Sequence, residues 1–349
     1  MNTYTLSKEE SDRLSILKYI AIVFVVYIHS YPLELTFAEG EMNLFLPQWL
    51  ILFREVLSQT ISLCAVPLFY LISAVLLFRK QRDYKTTIKQ KVRTLLLPYL
   101  IWNSLWIFVF ILLQNIPFTS AYFSNSNTSI LQCSFVEWLK LYGIGDPTPI
   151  DYPLWYLRDL MVVTLFFPII GNVAEKFPKQ LLIGAAIAFV LPIYFPLKYA
   201  LPWFCMGASI VKLQIHLTRL DHIALWKFLI VYILCAIITL LTDNSIIDEL
   251  FIFEGIIFWI RISKCIFSHQ KARNVFLSLS EWTFMIFVAH EMTLASIKKV
   301  CLKLLPTEPI FLFAEYLFLP ILVIAGCSIV GAILKKNVPK VYYLLTGTR

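Results

Sequence analysis

Residues 56–78 read VLSQTISLCAVPLFYLISAVLLF, a run without a single charged side chain. A helix of that length rises about 34 Å, more than the roughly 30 Å hydrocarbon core of a bilayer. Backbone groups in hydrocarbon must be satisfied within the segment itself, so the run reads as a transmembrane helix. Tyr316 to Leu334 is equally free of charge. On either side of these two, apolar runs recur, and the full set lies at approximately 14–34, 54–78, 94–116, 153–174, 180–197, 199–213, 224–242, 246–266, 280–299 and 310–334. The pattern predicts an all-α integral membrane protein of about ten transmembrane helices, with one domain over residues 1–349. Only Lys198, Pro196 and Pro202 divide residues 180–213, which therefore read either as two spans or as a re-entrant hairpin.

The composition agrees. The 349 residues are 59% hydrophobic and only 15% charged, whereas soluble domains carry about 25% charge. Lys and Arg number 30 against 22 Asp and Glu, a net +8. In a soluble domain that excess would raise nucleic-acid binding; here the basic residues fall between apolar runs, where they set topology and meet lipid headgroups, and no nucleic-acid partner is expected. Cys64, Cys205, Cys235, Cys265 and Cys327 sit in or beside apolar runs and no CxxC occurs, so neither a zinc site nor a redox pair is indicated. The polar opening MNTYTLSKEESDR does not read as a removable signal peptide.

Charge asymmetry tests the span count. Residues 79–93, RKQRDYKTTIKQKVR, hold seven cations, and the segments placed on the same side carry Lys176, Lys179, Lys212, Arg219, Lys264, Lys271, Arg273, Lys335, Lys336 and Lys340. The opposite segments carry Glu34, Glu39, Glu41, Asp146, Asp151, Asp243, Asp248 and Glu249. Only 298–309, with Lys298, Lys299 and Lys303, breaks the pattern. By the positive-inside rule both termini are expected in the cytoplasm. The longest polar stretch, 117–152, is turn-rich and expected to be irregular; its Asn127-Thr128-Ser129 sequon carries no weight.

Ionisable groups inside spans are costly and mark candidate function. Lys18, His29, Arg158, Asp159, Glu254, His290 and Glu291 meet that description. Lys18 and His29 are eleven residues apart, three helical turns, so they share a face about 16 Å apart, while Arg13 is out of phase with it. A histidine there can take a proton from a hydroxyl at physiological pH. The same pair also admits a structural use, Lys18 reaching the interface and His29 bonding a neighbouring helix. Trp155 and Arg158, three apart at the start of the fourth span, would present an aromatic plane and a fork of donors to a sugar, or anchor the chain at the interface. His290 and Glu291 lie in mid-span, where Glu291 requires a partner or a proton. No metal is expected, because the histidines lack ligand spacing.

Read in order, LKYIAIVFVVYIH (17–29), VPLFYLISAVLL (66–77), KVRTLLLPYLIW (91–102), PLWYLRDLMV (153–162), LPWFCMGASI (201–210) and FMIFVAH (284–290) resemble the acyltransferase 3 family of membrane O-acyltransferases, especially compact members acting on bacterial surface polysaccharides. Two departures stand out: Lys18 where the family usually has Arg, and Ala74 where it usually has Gly. The resemblance implies transfer of an acetyl group from acetyl-CoA to a hydroxyl of a surface polysaccharide or lipid-linked glycan, in the bacterial inner membrane among its lipids. It implies His29 as the catalytic residue. Lys18, Lys89, Lys91 and Arg93 would bind the donor, and Trp155, Arg158, His290 and Glu291 would bind the acceptor or support the site. Acetyl-CoA would be a substrate, with no tightly bound cofactor. A glycan exporter or flippase, or a non-catalytic partner of a glycan synthase, would show similar intramembrane polar groups, although no inverted repeat is visible.

Overall fold

The computed structural model describes residues 4–32, 36–37, 40–41, 46–80, 83–123, 129–146, 148–195, 197–242 and 244–347. Glu34, Glu39, Arg82, Asp243, Asn127 and Thr128 lie outside the described residues. Among the described residues the chain is helical, apart from one antiparallel pairing of Thr36–Phe37 with Gly40–Glu41. The helices are α1 Lys8–Ser30, α2 Gln48–Phe78, α3 Tyr84–Asn115, α4 Pro117–Phe123, α5 Phe135–Leu141, α6 Trp155–Leu165, α7 Phe167–Lys176, α8 Pro178–Val190, α9 Ala200–Lys212, α10 Leu225–Leu241, α11 Ser245–Ser268, α12 Gln270–Ser280, α13 Thr283–Leu304, α14 Pro309–Asn337 and α15 Pro339–Thr346.

Four of these, α1, α2, α3 and α14, are long and apolar enough to cross a membrane. A fifth span forms if the turn at Tyr152, α6 and α7 count as one, bent by 61°. Of the ten apolar runs, four or five are thus matched by helices of full span length among the described residues. Helices α8 and α9 have 13 residues each and α10 has 17, short of the roughly 20 a span needs. The stretch 180–213 therefore resolves into two short helices packed on each other. Helices α11 and α13 are long but charged, and two of the α11 charges are paired within the protein: Lys198 Nζ meets Glu249 at 2.5 Å and Lys264 Nζ meets Glu9 at 2.8 Å. Lys298, which breaks the charge pattern along the sequence, is not a loop residue. It is 3% exposed inside α13.

Prolines set the irregularities. A proline removes one backbone donor and crowds the preceding turn. Pro67 follows a π turn and a 3-10 turn in α2, and Pro98 follows a π turn at Val92–Leu96 in α3. The bend between α6 and α7 falls before Pro168, where Thr164 Oγ1 also donates to Leu160 O at 2.7 Å. Most of the basic segment 79–93 is not a loop but the first turns of α3, capped by Asp83, whose carboxylate accepts from Thr86 N at 2.9 Å. The polar stretch 117–152, expected to be irregular, also contains α4 and α5. Ser134 and Glu137 close a capping box on α5, a signal legible in the sequence as S-x-x-E.

The chain divides into two compact units. The first comprises Met1–Val25, Val56–Lys89 and Asp159–Thr283. At its centre α9 packs on the second half of α2. A Cβ added to Gly207 would lie 2.5 Å from Ala74 Cβ and 2.9 Å from Leu71 O, so the close approach is kept here with the glycine on α9 opposite the alanine. Overpacking such a crossing costs about 1 to 3 kcal/mol. Gly207→Ala should therefore lower the thermal midpoint measured in detergent, whereas Gly184→Ala, with nothing among the described residues within 4 Å of the added Cβ, should not.

The same unit buries Arg13 completely. Its Nη1 and Nη2 grip Asp221 at 2.7 and 3.1 Å, Nε donates to Ser263 Oγ at 3.1 Å, and Nη2 reaches Ile260 O at 3.0 Å. The fork ties α1 to the 217–221 turn and to α11.

The second unit comprises Val26–Glu55, Gln90–Arg158 and Phe284–Arg349. Within it α15 packs on α3, and Trp102 Nε1 donates to Leu345 O at 3.0 Å.

Candidate active site

The second unit holds the cluster richest in chemistry. Helix α1 ends at Ser30, and the carbonyls of a helix's last turn lack intrahelical partners. Here two cations meet the last of them and the two carbonyls that follow. Lys298 Nζ, from α13, donates to Ser30 O at 2.9 Å and also to Pro32 O. Arg54, from α2, donates through Nη2 to Tyr31 O, with its guanidinium carbon 5.2 Å from the Tyr31 ring centre and 5.1 Å from that of Tyr316. Positive charge at a helix C-terminus is favourable. This pins the helix end that carries His29.

His29 is half-buried, and its ring centre lies 5.1 Å from that of His290 and 5.6 Å from that of Tyr152, both edge-on. His290 is fully buried. Its Nδ1 lies 3.0 Å from Ile286 O and 2.9 Å from Phe287 O, two carbonyl acceptors that place the proton on Nδ1. The lone pair is therefore on Nε2, a buried atom with no hydrogen-bond partner among the described residues. Such an atom carries a desolvation cost unless a ligand or neighbour meets it. Glu291 follows on the same helix.

The loop between α5 and α6 closes against this pair. Gly143, at φ +65, turns the chain, and Arg158 Nη1 donates to Gly143 O at 3.1 Å and Asp146 O at 3.2 Å. Only a residue tolerating left-handed backbone fits there, and a Cβ would stand 3.0 Å from that same nitrogen. Ile150 N donates to Leu141 O at 2.8 Å, Tyr99 Oη to Tyr142 O at 2.5 Å, and Asp151 N to Asn103 Oδ1 at 3.2 Å. Asn103 is itself buried and fixed by Nδ2 donating to Tyr99 O at 2.8 Å. Burial pushes the Asp151 carboxyl well above its usual range, with the charge of Glu291 adding to the effect.

The structure thus brings His29 and His290 together, with Glu291 beside His290 and with Trp155 and Arg158 opening α6 just after the loop. Arg158 is engaged with loop carbonyls through Nη1. Lys91, half-buried, and Arg93, exposed, stand at the start of α3 within this unit, while half-buried Lys18 and exposed Lys89 belong to the first unit. Sequence reasoning misses Asp151, Tyr152 and Asn103 as site residues. Asp151 counts there as a loop charge, and Asn103 escapes because only ionisable groups are weighed; a lone amide in LPYLIWNSLW is the signal that points to it. Among the described residues no three His, Cys, Asp or Glu side chains gather as metal ligands.

The succinoglycan biosynthesis protein ExoH of Rhizobium meliloti (strain 1021) is 28% identical over 186 residues, 52% of this chain and 48% of that protein. The chain's match thus spans about half the length of this relative. No solved structure matches. The model of the acyltransferase 3 family, described as an acyltransferase domain, matches residues 12–333, and with nearly its whole length inside that match the chain belongs to this family.

Proposed function

We propose that the protein is a membrane O-acyltransferase that moves an acetyl group from acetyl-CoA to a hydroxyl of a surface polysaccharide or lipid-linked glycan, working in the bacterial inner membrane with both termini in the cytoplasm. The observation that carries the reading is the histidine pair: His29 on a clamped helix end, 5.1 Å between ring centres from His290, whose bare Nε2 is buried. His29 takes the proton from the acceptor hydroxyl as its oxygen attacks the thioester carbonyl. The carbon–sulfur bond then breaks, and the leaving thiolate takes the proton. His290, with its lone pair on Nε2 beside the His29 ring, offers an acceptor to a substrate hydroxyl held between them. Lys18, Lys89, Lys91 and Arg93 hold the donor's phosphates. Trp155 and Glu291 line the acceptor side, and Arg158 anchors the loop that borders it. The printed name of the relative, a succinoglycan biosynthesis protein, fits a polysaccharide acceptor.

Mass spectrometry of surface glycans from cells with and without the gene tests this reading. Loss of one acetyl mass per modified sugar, with polymer still present, is the expected result; loss of the polymer with its modification unchanged would overturn it in favour of export. Lys18→Ala should weaken apparent acetyl-CoA affinity about tenfold or less, as befits one phosphate contact, and Lys18→Arg should keep it.

A further inference from the structure

Asp151 is 2% exposed, on the residue that precedes the 3-10 turn Tyr152–Leu154. Its anchor to the fold is the backbone: the N–H donates to Asn103 Oδ1 at 3.2 Å, and that bond makes no use of the carboxyl. The side-chain Oδ2 is buried and meets no hydrogen-bond partner among the described residues. An oxygen left in that state is destabilising, and such orphans collect where a ligand completes them. The next residue, Tyr152, stands edge-on to His29 at 5.6 Å, and Glu291, beside His290, is close enough to raise the Asp151 carboxyl by its charge. Asp151 thus directly precedes the residue whose ring meets the reacting histidine.

We propose that Asp151 recognises the acceptor, its carboxyl oxygen binding a hydroxyl adjacent to the one that is acylated, so that the site takes vicinal diols, as on a sugar ring, over isolated hydroxyls. The proposal rests on the acyl-transfer reading above. Three features set Asp151 apart from an ordinary loop carboxylate: it is withdrawn from water, its Oδ2 meets no donor among the described residues, and its neighbour in the chain touches the reacting histidine. A carboxyl offers acceptor positions to a hydroxyl of either ring face, and a neighbouring hydroxyl bound there would hold the reacting one against His29.

The test uses the purified full chain, acetyl-CoA, and two probe acceptors of the same ring size, trans-1,2-cyclohexanediol and cyclohexanol, with acetyl ester read by mass spectrometry. The wild type should favour the diol by about tenfold in kcat/KM, the worth of one hydrogen bond. Asp151→Ala should bring that ratio close to one, the loss falling on diol acetylation in kcat/KM while the apparent KM for acetyl-CoA stays unchanged. Asp151→Leu, which keeps bulk and removes the oxygens, reads the same ratio if the alanine variant does not accumulate. A wild type that does not discriminate, or variants that lose both acceptors equally, would overturn the proposal and leave Asp151 as a structural residue. Absence of ester from either alcohol with wild-type protein would sink the acyl-transfer reading itself, and with it this one.

Discussion

His29→Ala is expected to reduce acyl transfer by about 10²- to 10⁴-fold, the range over which a positioned base contributes, while the protein accumulates and melts as the wild type does. The stability half follows from the contacts. The helix end is held through backbone carbonyls of Ser30, Tyr31 and Pro32 by Lys298 and Arg54, and none of those bonds uses the imidazole. His29→Gln keeps polarity without basicity and should be equally inactive. Transfer is to be measured with labelled acetyl-CoA in reconstituted membranes, alongside the thermal midpoint. Activity within about threefold of wild type in well-folded His29→Ala would remove the catalytic role, and His290, with its lone pair on Nε2, would become the base to test next.

Asp221→Ala should be the most destabilising single change in the first unit, by about 3 to 5 kcal/mol. Arg13 is wholly buried and its fork is closed on both Asp221 oxygens at 2.7 and 3.1 Å. Removing the carboxylate leaves a buried guanidinium with a distant Glu9 contact of 3.5 Å. An uncompensated charge of that kind costs far more than the intact pair contributes. Removing both partners, in Arg13→Met with Asp221→Ala, should recover much of the loss, because no bare charge remains. Thermal unfolding of the single and double variants in detergent measures both; a double variant as unstable as the single one would show that the fork, not the unpaired charge, is what matters.

Part of the architecture is legible along the chain because it is local. An uncharged run such as 56–78 must bury or solvate its backbone within itself, so the helices over Gln48–Phe78 and Pro309–Asn337 can be read directly. The histidine of the first helix is legible for the related reason that a polar group inside an apolar run is costly and therefore conspicuous. Apolar runs and full-length helices do not map one to one, because apolarity has two causes. Residues 200–212 are apolar largely because they pack on neighbouring helices, whereas 178–190 keep most of their apolar side chains at least partly exposed; both stop short of a membrane's width. Charge counting fails at Lys298 for the mirror reason: its partners are carbonyls 268 and 266 positions away in the chain, so a buried cation looks like a loop residue.

Composition and short-range spacing are enough to establish an apolar helical membrane chain, its long spans, its family resemblance and its candidate reactive histidine. Packing settles what they leave open: that His290 stands beside His29 with its lone pair on Nε2, that Gly207 supplies the space opposite Ala74, that Arg13 turns to Asp221, and that Asp151 lies buried with a bare oxygen. Each of these depends on side chains brought together across dozens to hundreds of residues. Periodicity along one helix says which face a residue occupies, but what that face meets is set by the helices that close over it.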